Sequence, residues 1–134
     1  QAAIGYAQIS KLKEYINKKK KIHSFYKEEF SKSLKVKLFI PPDFCESNYW
    51  LNLIFLEPKY KINKDKLIKN LNKLNIQARP IWKLNHLQKP YKKEQKYDIT
   101  NAQKLVKNYI CLPSSPNLNR KQIKFISKNI INLI

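Results

Sequence analysis

Apolar positions mark out the elements of this chain. From Ala2 to about Lys32 there is no proline, and Ile9, Leu12, Ile16, His23, Tyr26 and Phe30 recur at three- and four-residue spacing. That period predicts one helical face along the whole stretch. At 1.5 Å per residue, a helix of about 30 residues would run about 45 Å, more than a domain of this size can cover. Its first turns, Ala2-Ala3-Ile4-Gly5-Tyr6-Ala7, are apolar around the full circumference, as expected of a segment enclosed on all sides. The residues that would enclose them are not in this sequence.

Strand chemistry follows. Val36 to Ile40 stops at Pro41-Pro42, and Tyr49 to Leu56, rich in aromatic and aliphatic residues, stops at Pro58. Asn63 is a predicted N-cap, with Asp65 in the first turn, for a helix that puts Leu67, Ile68, Leu71 and Leu74 on one face. A short strand, Gln77 to Trp82, comes next. Pro80 lacks an N–H and biases Arg79 to extended backbone, which places this strand at an edge or a bulge. Beyond the irregular residues 83 to 98, a short helix near Asn101 to Asn108 leads into a strand at Tyr109 to Leu112. Pro113-Ser114-Ser115-Pro116 then turns the chain. Asn119 with Gln122 three residues on is a capping-box pattern for the last helix. The order helix, strand, strand, helix, strand, helix, strand, helix predicts an α+β fold: a long N-terminal helix, then a small, largely antiparallel sheet covered by helices.

The length, 134 residues, suits one domain with a single modest core. A formal charge of +19 raises the reading of a free-standing basic α+β nucleic-acid-binding module. The distribution argues against nucleic acid. Nearly all of the charge is lysine, spread from Lys11 to Lys128 and accompanied by asparagine and isoleucine, a compositional drift more than a binding stripe. The only run, Lys18-Lys19-Lys20-Lys21, falls mid-helix and reads as a solvated face. Cys45 and Cys111 have no metal-ligand spacing and no secretory segment before them, which predicts reduced thiols in a cytoplasmic protein and no metal site. No apolar run approaches the roughly 20 residues that span a bilayer. Without an initiator methionine, the chain reads as a piece of something longer.

Candidate chemistry gathers between Gln77 and Tyr91. Arg79 is one of only two arginines among 28 basic residues, so its guanidinium stands out as a two-pronged donor for a carboxylate or phosphate. Trp82, His86 and Tyr91 follow on the same segment. The same residues are compatible with packing: Trp82 and Tyr91 covering the end of a small core, and Arg79 clamping an edge strand through backbone carbonyls or a local carboxylate such as Glu57. His23, on a helical face beside Phe25 and Tyr26, is expected to be a packed or capping histidine. One glycine excludes a glycine-rich phosphate loop, and nine scattered acidic residues offer no catalytic carboxylate pair. No catalytic residue is proposed from the sequence.

Five short elements, in order, resemble the DegT/DnrJ-type sugar aminotransferases, PLP-dependent enzymes of fold type I. They are Gln1-Ala2-Ala3-Ile4-Gly5-Tyr6-Ala7-Gln8-Ile9, Asn48-Tyr49-Trp50, Ala78-Arg79-Pro80-Ile81-Trp82, His86-Leu87-Gln88-Lys89-Pro90-Tyr91 and Leu112-Pro113-Ser114-Ser115-Pro116. The resemblance implies that residues 1–134 are the C-terminal small domain of such an enzyme, with 1–33 a long helix packed on an absent large domain. The Schiff-base lysine and the other cofactor anchors would lie in that domain, so this chain alone would bind no PLP and be inactive. It also implies a parent, expected to be a homodimer, that moves an amino group, usually from glutamate, onto a nucleotide-linked keto sugar in bacterial surface-sugar biosynthesis. By matching position, Arg79, His86 and Tyr91 would face the substrate, and Trp82 would wall an apolar side of it. Lys83-Leu84-Asn85 departs from the family's usual link before the histidine. The serine-serine turn and Trp82 look most like the legionaminic-acid branch.

Overall fold

The computed structural model describes residues 1–134. The single long helix is in fact two, α1 (Ala2–Ile9) and α2 (Leu12–Phe30). The Ala7 carbonyl, which an unbroken helix would give to the N–H of Lys11, accepts the Ser10 hydroxyl at 3.2 Å instead. The Lys11 N–H turns to Gln8 at 3.0 Å in a tighter i−3 bond. A serine side chain competing for helix carbonyls breaks the ladder where no packing holds it straight. Every residue of α1, Ile9 included, is exposed, and so is Leu12, so the buried face begins only at Ile22, His23, Tyr26 and Phe30.

The remaining elements are β1 (Val36–Leu38), β2 (Asn52–Leu56), α3 (Lys64–Lys73), β3 (Arg79–Pro80), α4 (Thr100–Asn108), β4 (Tyr109–Leu112) and α5 (Arg120–Leu133). The strands are shorter than their sequence runs. Phe39 and Ile40 fall beyond the end of β1, and Tyr49 to Leu51 belong to a loop ahead of β2. β3 keeps only Arg79 and Pro80, because proline cannot donate to a ladder. The sheet order is β1-β2-β4-β3, antiparallel throughout, with β3 at an edge as Pro80 requires.

Alternation along β2 divides the sheet. Asn52, Ile54 and Leu56 are buried on one face, with Val36, Ile110 and Leu112 as their cross-strand partners. Helices α2, α3 and α5 cover that face with Ile22, Tyr26, Leu67, Leu71, Ile123 and Ile130. Leu53, Cys111 and Arg79 stand opposite one another in register and so share the other face. The caps follow the sequence. Asn63 accepts from the Lys66 N–H at 2.9 Å, and Asn119 with Gln122 closes a reciprocal capping box on α5. Leu74 is an exception: it lies past the end of α3 and is exposed. There Asn75 takes the left-handed conformation at φ 59° and reverses the chain toward β3.

Lysines are exposed or half-buried on α2, α3, α4 and α5 and in the loops between them. Lys19 departs from the solvated face expected of the 18–21 run: its ammonium reaches the carbonyls of Trp50 and Ser114, in the loops flanking β2 and β4. Both cysteines are free thiols. No helix is long and apolar enough to cross a membrane.

Candidate functional site

The 113–116 turn is the best-anchored irregular segment of the molecule. Lys19 Nζ donates to the carbonyls of Ser114 at 2.8 Å and Trp50 at 3.3 Å. Tyr26 Oη donates to the Pro113 carbonyl at 3.0 Å. Ser114 Oγ accepts from the backbone N–H of Asn52 at 2.8 Å and from Asn52 Nδ2 at 3.1 Å, and donates to the Leu112 carbonyl at 3.0 Å. A hydroxyl has one proton and two acceptor sites, so the capacity of Ser114 is fully used. With Asn52 Nδ2 committed to Ser114, Asn52 Oδ1 is the acceptor facing His23 Nδ1 at 2.9 Å, and His23 carries its proton on Nδ1. His23 and Asn52 are both buried, which confirms the packed histidine read from the sequence.

Burial sets the charge states. Desolvation lowers the pKa of Lys19. It also lowers that of His23, opposed by the bond to Asn52, so the imidazole is held neutral. The Tyr26 phenol is pushed well above its ordinary value. Burial raises the Cys111 thiol, with Arg79 pulling the other way, which makes it a poor nucleophile.

Against this turn opens a recess of about 200 Å³ lined by Leu51, Gln77, Arg79, Cys111, Leu112, Pro113, Ser114 and Ser115. Arg79 is exposed at its edge and takes part in none of the four ion pairs. Glu57, the carboxylate offered for a structural clamp, binds Lys37 at 2.7 Å instead. The guanidinium is therefore without an ion-pair partner, beside the Gln77 amide and the Ser115 hydroxyl. A wider groove of about 420 Å³ between Leu74, Ile76, Leu118, Phe125 and Ile126 has no titratable lining residue. It offers no charged group to an ionic ligand.

Trp82 does not cover the core. It is exposed, 5.2 Å from Trp50 between ring centroids. His86 lies in a 3-10 turn, Asn85–Leu87, with Nε2 3.4 Å from Gln103 Nε2. Tyr91 follows in another, Lys89–Tyr91, and is half-exposed. Arg79 thus lines the recess, Trp82 joins Trp50, and His86 faces α4, while no contact ties Tyr91 to the other three. Asn52, Ser114, Lys19 and Trp50 were not selected from sequence. Asn48-Tyr49-Trp50 and the serine turn signalled that region, but nothing local reveals that α2 reaches across to hold it. No group of three or more His, Cys, Asp or Glu side chains forms a metal site. The recess contains neither lysine nor carboxylate, and the amine of Lys19 is engaged by two carbonyls, so these residues do not fit PLP, which needs an amine for its aldehyde and an acid for its ring nitrogen.

Known proteins share this architecture. The chain is 26% identical over 133 residues to the UDP-4-amino-4,6-dideoxy-N-acetyl-beta-L-altrosamine transaminase of Campylobacter jejuni, covering 98% of this chain and 35% of that protein. It is 28% identical over 139 residues to the GDP-perosamine synthase of Vibrio cholerae, covering 99% and 37%. The fold matches Helicobacter pylori PseC, an aminotransferase involved in the biosynthesis of pseudoaminic acid, with a TM-score of 0.89 at 21% identity over 99% of this chain and 36% of that one. The chain thus spans about a third of the length of these relatives. Their names carry different sugars, so the likeness selects no sugar. Residues 1–131 match the DegT/DnrJ/EryC1/StrS aminotransferase family, and the chain belongs to it.

Proposed function

We propose that residues 1–134 act as the small C-terminal domain of a PLP-dependent aminotransferase that transfers an amino group, with glutamate as donor, to a nucleotide-linked keto sugar, and that Arg79 receives an anionic part of the substrate. The observation that carries the site is the unpaired Arg79 guanidinium at the edge of a small recess without carboxylates. The bidentate fork suits a diphosphate or the donor's carboxylate, and about 200 Å³ admits such a group but not a whole nucleotide sugar. His86 and Tyr91 would supply hydrogen bonds along the same segment. Relatives named for UDP- and GDP-sugars support the substrate class. Free thiols fit a cytoplasmic enzyme, and a homodimeric parent is part of the proposal.

PLP, held by residues outside this chain, supplies the electron sink for amino transfer. The role of this chain is to cover the site, orient the substrate and exclude water. The test uses the reading frame that encodes these residues, assayed with glutamate and a panel of keto sugar nucleotides. Arg79→Lys keeps the charge and loses the fork, so kcat/KM is expected to fall about 10- to 100-fold with an unchanged urea midpoint. The isolated chain, mixed with PLP and reduced with borohydride, is expected to show no stoichiometric label on a single lysine. A lowered midpoint with unchanged kcat/KM would remove Arg79 from the site.

A further inference from the structure

We infer that Trp50 and Trp82 form a stacking platform for the nucleobase of a nucleoside diphosphate whose phosphates meet Arg79; this rests on the reading of the Arg79 recess given above.

The two indoles are the only tryptophans in the chain, and they meet with ring centroids 5.2 Å apart and planes tilted by 46°. Yet Trp50 is 59% exposed and Trp82 65%. A tryptophan pair that serves packing buries its rings, because aromatic area is the largest apolar gain a side chain offers. Here two of the largest apolar side chains stand together in water, each with ring surface to spare. Adjacent exposed apolar groups of this kind mark a binding surface.

The backbone presents Trp50 deliberately. Tyr49 adopts φ 49°, a left-handed conformation that a bulky residue rarely takes, and its ring lies 4.3 Å from that of buried His23. Ser47 Oγ accepts the Tyr49 N–H and Asn48 Oδ1 accepts the Trp50 N–H, both at 3.0 Å, while Lys19 donates to the Trp50 carbonyl. The loop is thus strained and pinned at several points, but the indole it carries is left in solvent. Strain maintained by surrounding structure is a mark of pre-organisation for a ligand.

The platform is continuous with the recess. Leu51, next to Trp50, lines it, and so does Arg79, three residues before Trp82. Three residues of backbone span at most about 11 Å, a separation that a ribose bridges between a base and a diphosphate. The recess offers a guanidinium, an amide and the Ser115 hydroxyl, and its volume of about 200 Å³ suits a small anion. A flat ring joined to a diphosphate satisfies both parts, whereas a protein partner would leave the recess unfilled. Stacking does not select the base, since every nucleobase has a π-face, so both UDP and GDP are suitable probes.

Because the tryptophans lie only in this pair, intrinsic fluorescence excited at the red edge of tyrosine absorption reports on the platform alone. The 134-residue chain is titrated with UDP, GDP and inorganic pyrophosphate, by fluorescence and by calorimetry, with circular dichroism checking each variant. UDP and GDP are expected to quench the emission and to bind about 5- to 100-fold tighter than pyrophosphate. Trp82→Ala is expected to reduce UDP to the affinity of pyrophosphate, and Trp82→Phe to keep most of the gain. Pyrophosphate binding with no added affinity for UDP and unmoved fluorescence overturns the platform and leaves the Arg79 reading standing; this is also the outcome expected if the patch docks a protein. Quenching by UDP that survives Arg79→Ala at full affinity overturns the Arg79 reading and supports the platform. No binding by either probe overturns both.

Discussion

Ser114→Ala tests whether the buried hydroxyl, and not the turn sequence as such, holds the 113–116 segment. The substitution removes three hydrogen bonds of 2.8, 3.1 and 3.0 Å. It leaves two Asn52 donors, the backbone N–H and Nδ2, without partners in a residue only 1% exposed. An orphaned buried donor costs about 1–3 kcal/mol. Ser114 itself is only half-buried, so water can reach one side of the gap and recover part of that cost. The net expectation is a loss of about 2–4 kcal/mol. With a slope near 1.5 kcal/mol per M, within the usual range for urea, the unfolding midpoint should drop by about 1.3–2.7 M. Two measurements accompany the urea curve. The Lys19 and Tyr26 bonds to the same turn are untouched, so amide exchange should accelerate at Asn52 more than in α5. Long-range ¹⁵N–¹H spectra of the wild type should show the His23 proton on Nδ1. A midpoint change equivalent to less than about 0.5 kcal/mol, the scale of an ordinary surface substitution, would refute the reasoning. So would an Nε2–H tautomer, since Asn52 would then have to present its Nδ2 to His23 and its oxygen to Ser114.

Stability should depend on pH through His23, whose folded pKa lies below its unfolded value because burial disfavours the imidazolium. The unfolded chain then binds more protons, so this contribution is complete above about pH 6.5, declines as the pH falls toward the folded pKa and levels off below it. Urea midpoints across that interval should show the slope, and His23→Gln, which keeps a donor for Asn52, should flatten it. In native-state hydrogen exchange of the chain as a monomer, amides from Ile4 to Ile9 should exchange close to the unfolded rate. All of α1 is exposed and nothing within the chain packs on it; slow exchange there would contradict the structure.

Local patterns read from the sequence survive folding where the cause is local. The Asn63 cap, the Asn119–Gln122 capping box and the edge position forced by Pro80 depend on atoms a few residues apart, and all three are present. Which face of β2 is buried is not written in the strand, since Leu53 to Leu56 are all apolar and polar Asn52 is buried with Ile54 and Leu56. Five short motifs in order carried the resemblance to the family; four lie at turns, loops or strand ends, and the first is the exposed helix α1. Tertiary structure decided what periodicity could not. One apolar period ran unbroken through Ser10, and the break there depends on an unpacked α1 and a hydroxyl free to take the Ala7 carbonyl. Lys19 looked like its neighbours in a lysine run, yet it alone lies where two carbonyls, 31 and 95 residues away, come within reach. His23, Asn52 and Ser114 form one unit only because α2 crosses the end of β2 beside the 113–116 turn. Trp50 and Trp82 meet across a loop and an edge segment, and Arg79 is left without a carboxylate partner at the sheet edge. Local chemistry chooses caps and turns; which strand face is buried, and which distant side chains satisfy, or leave unsatisfied, a buried or charged group, is decided only when the elements pack.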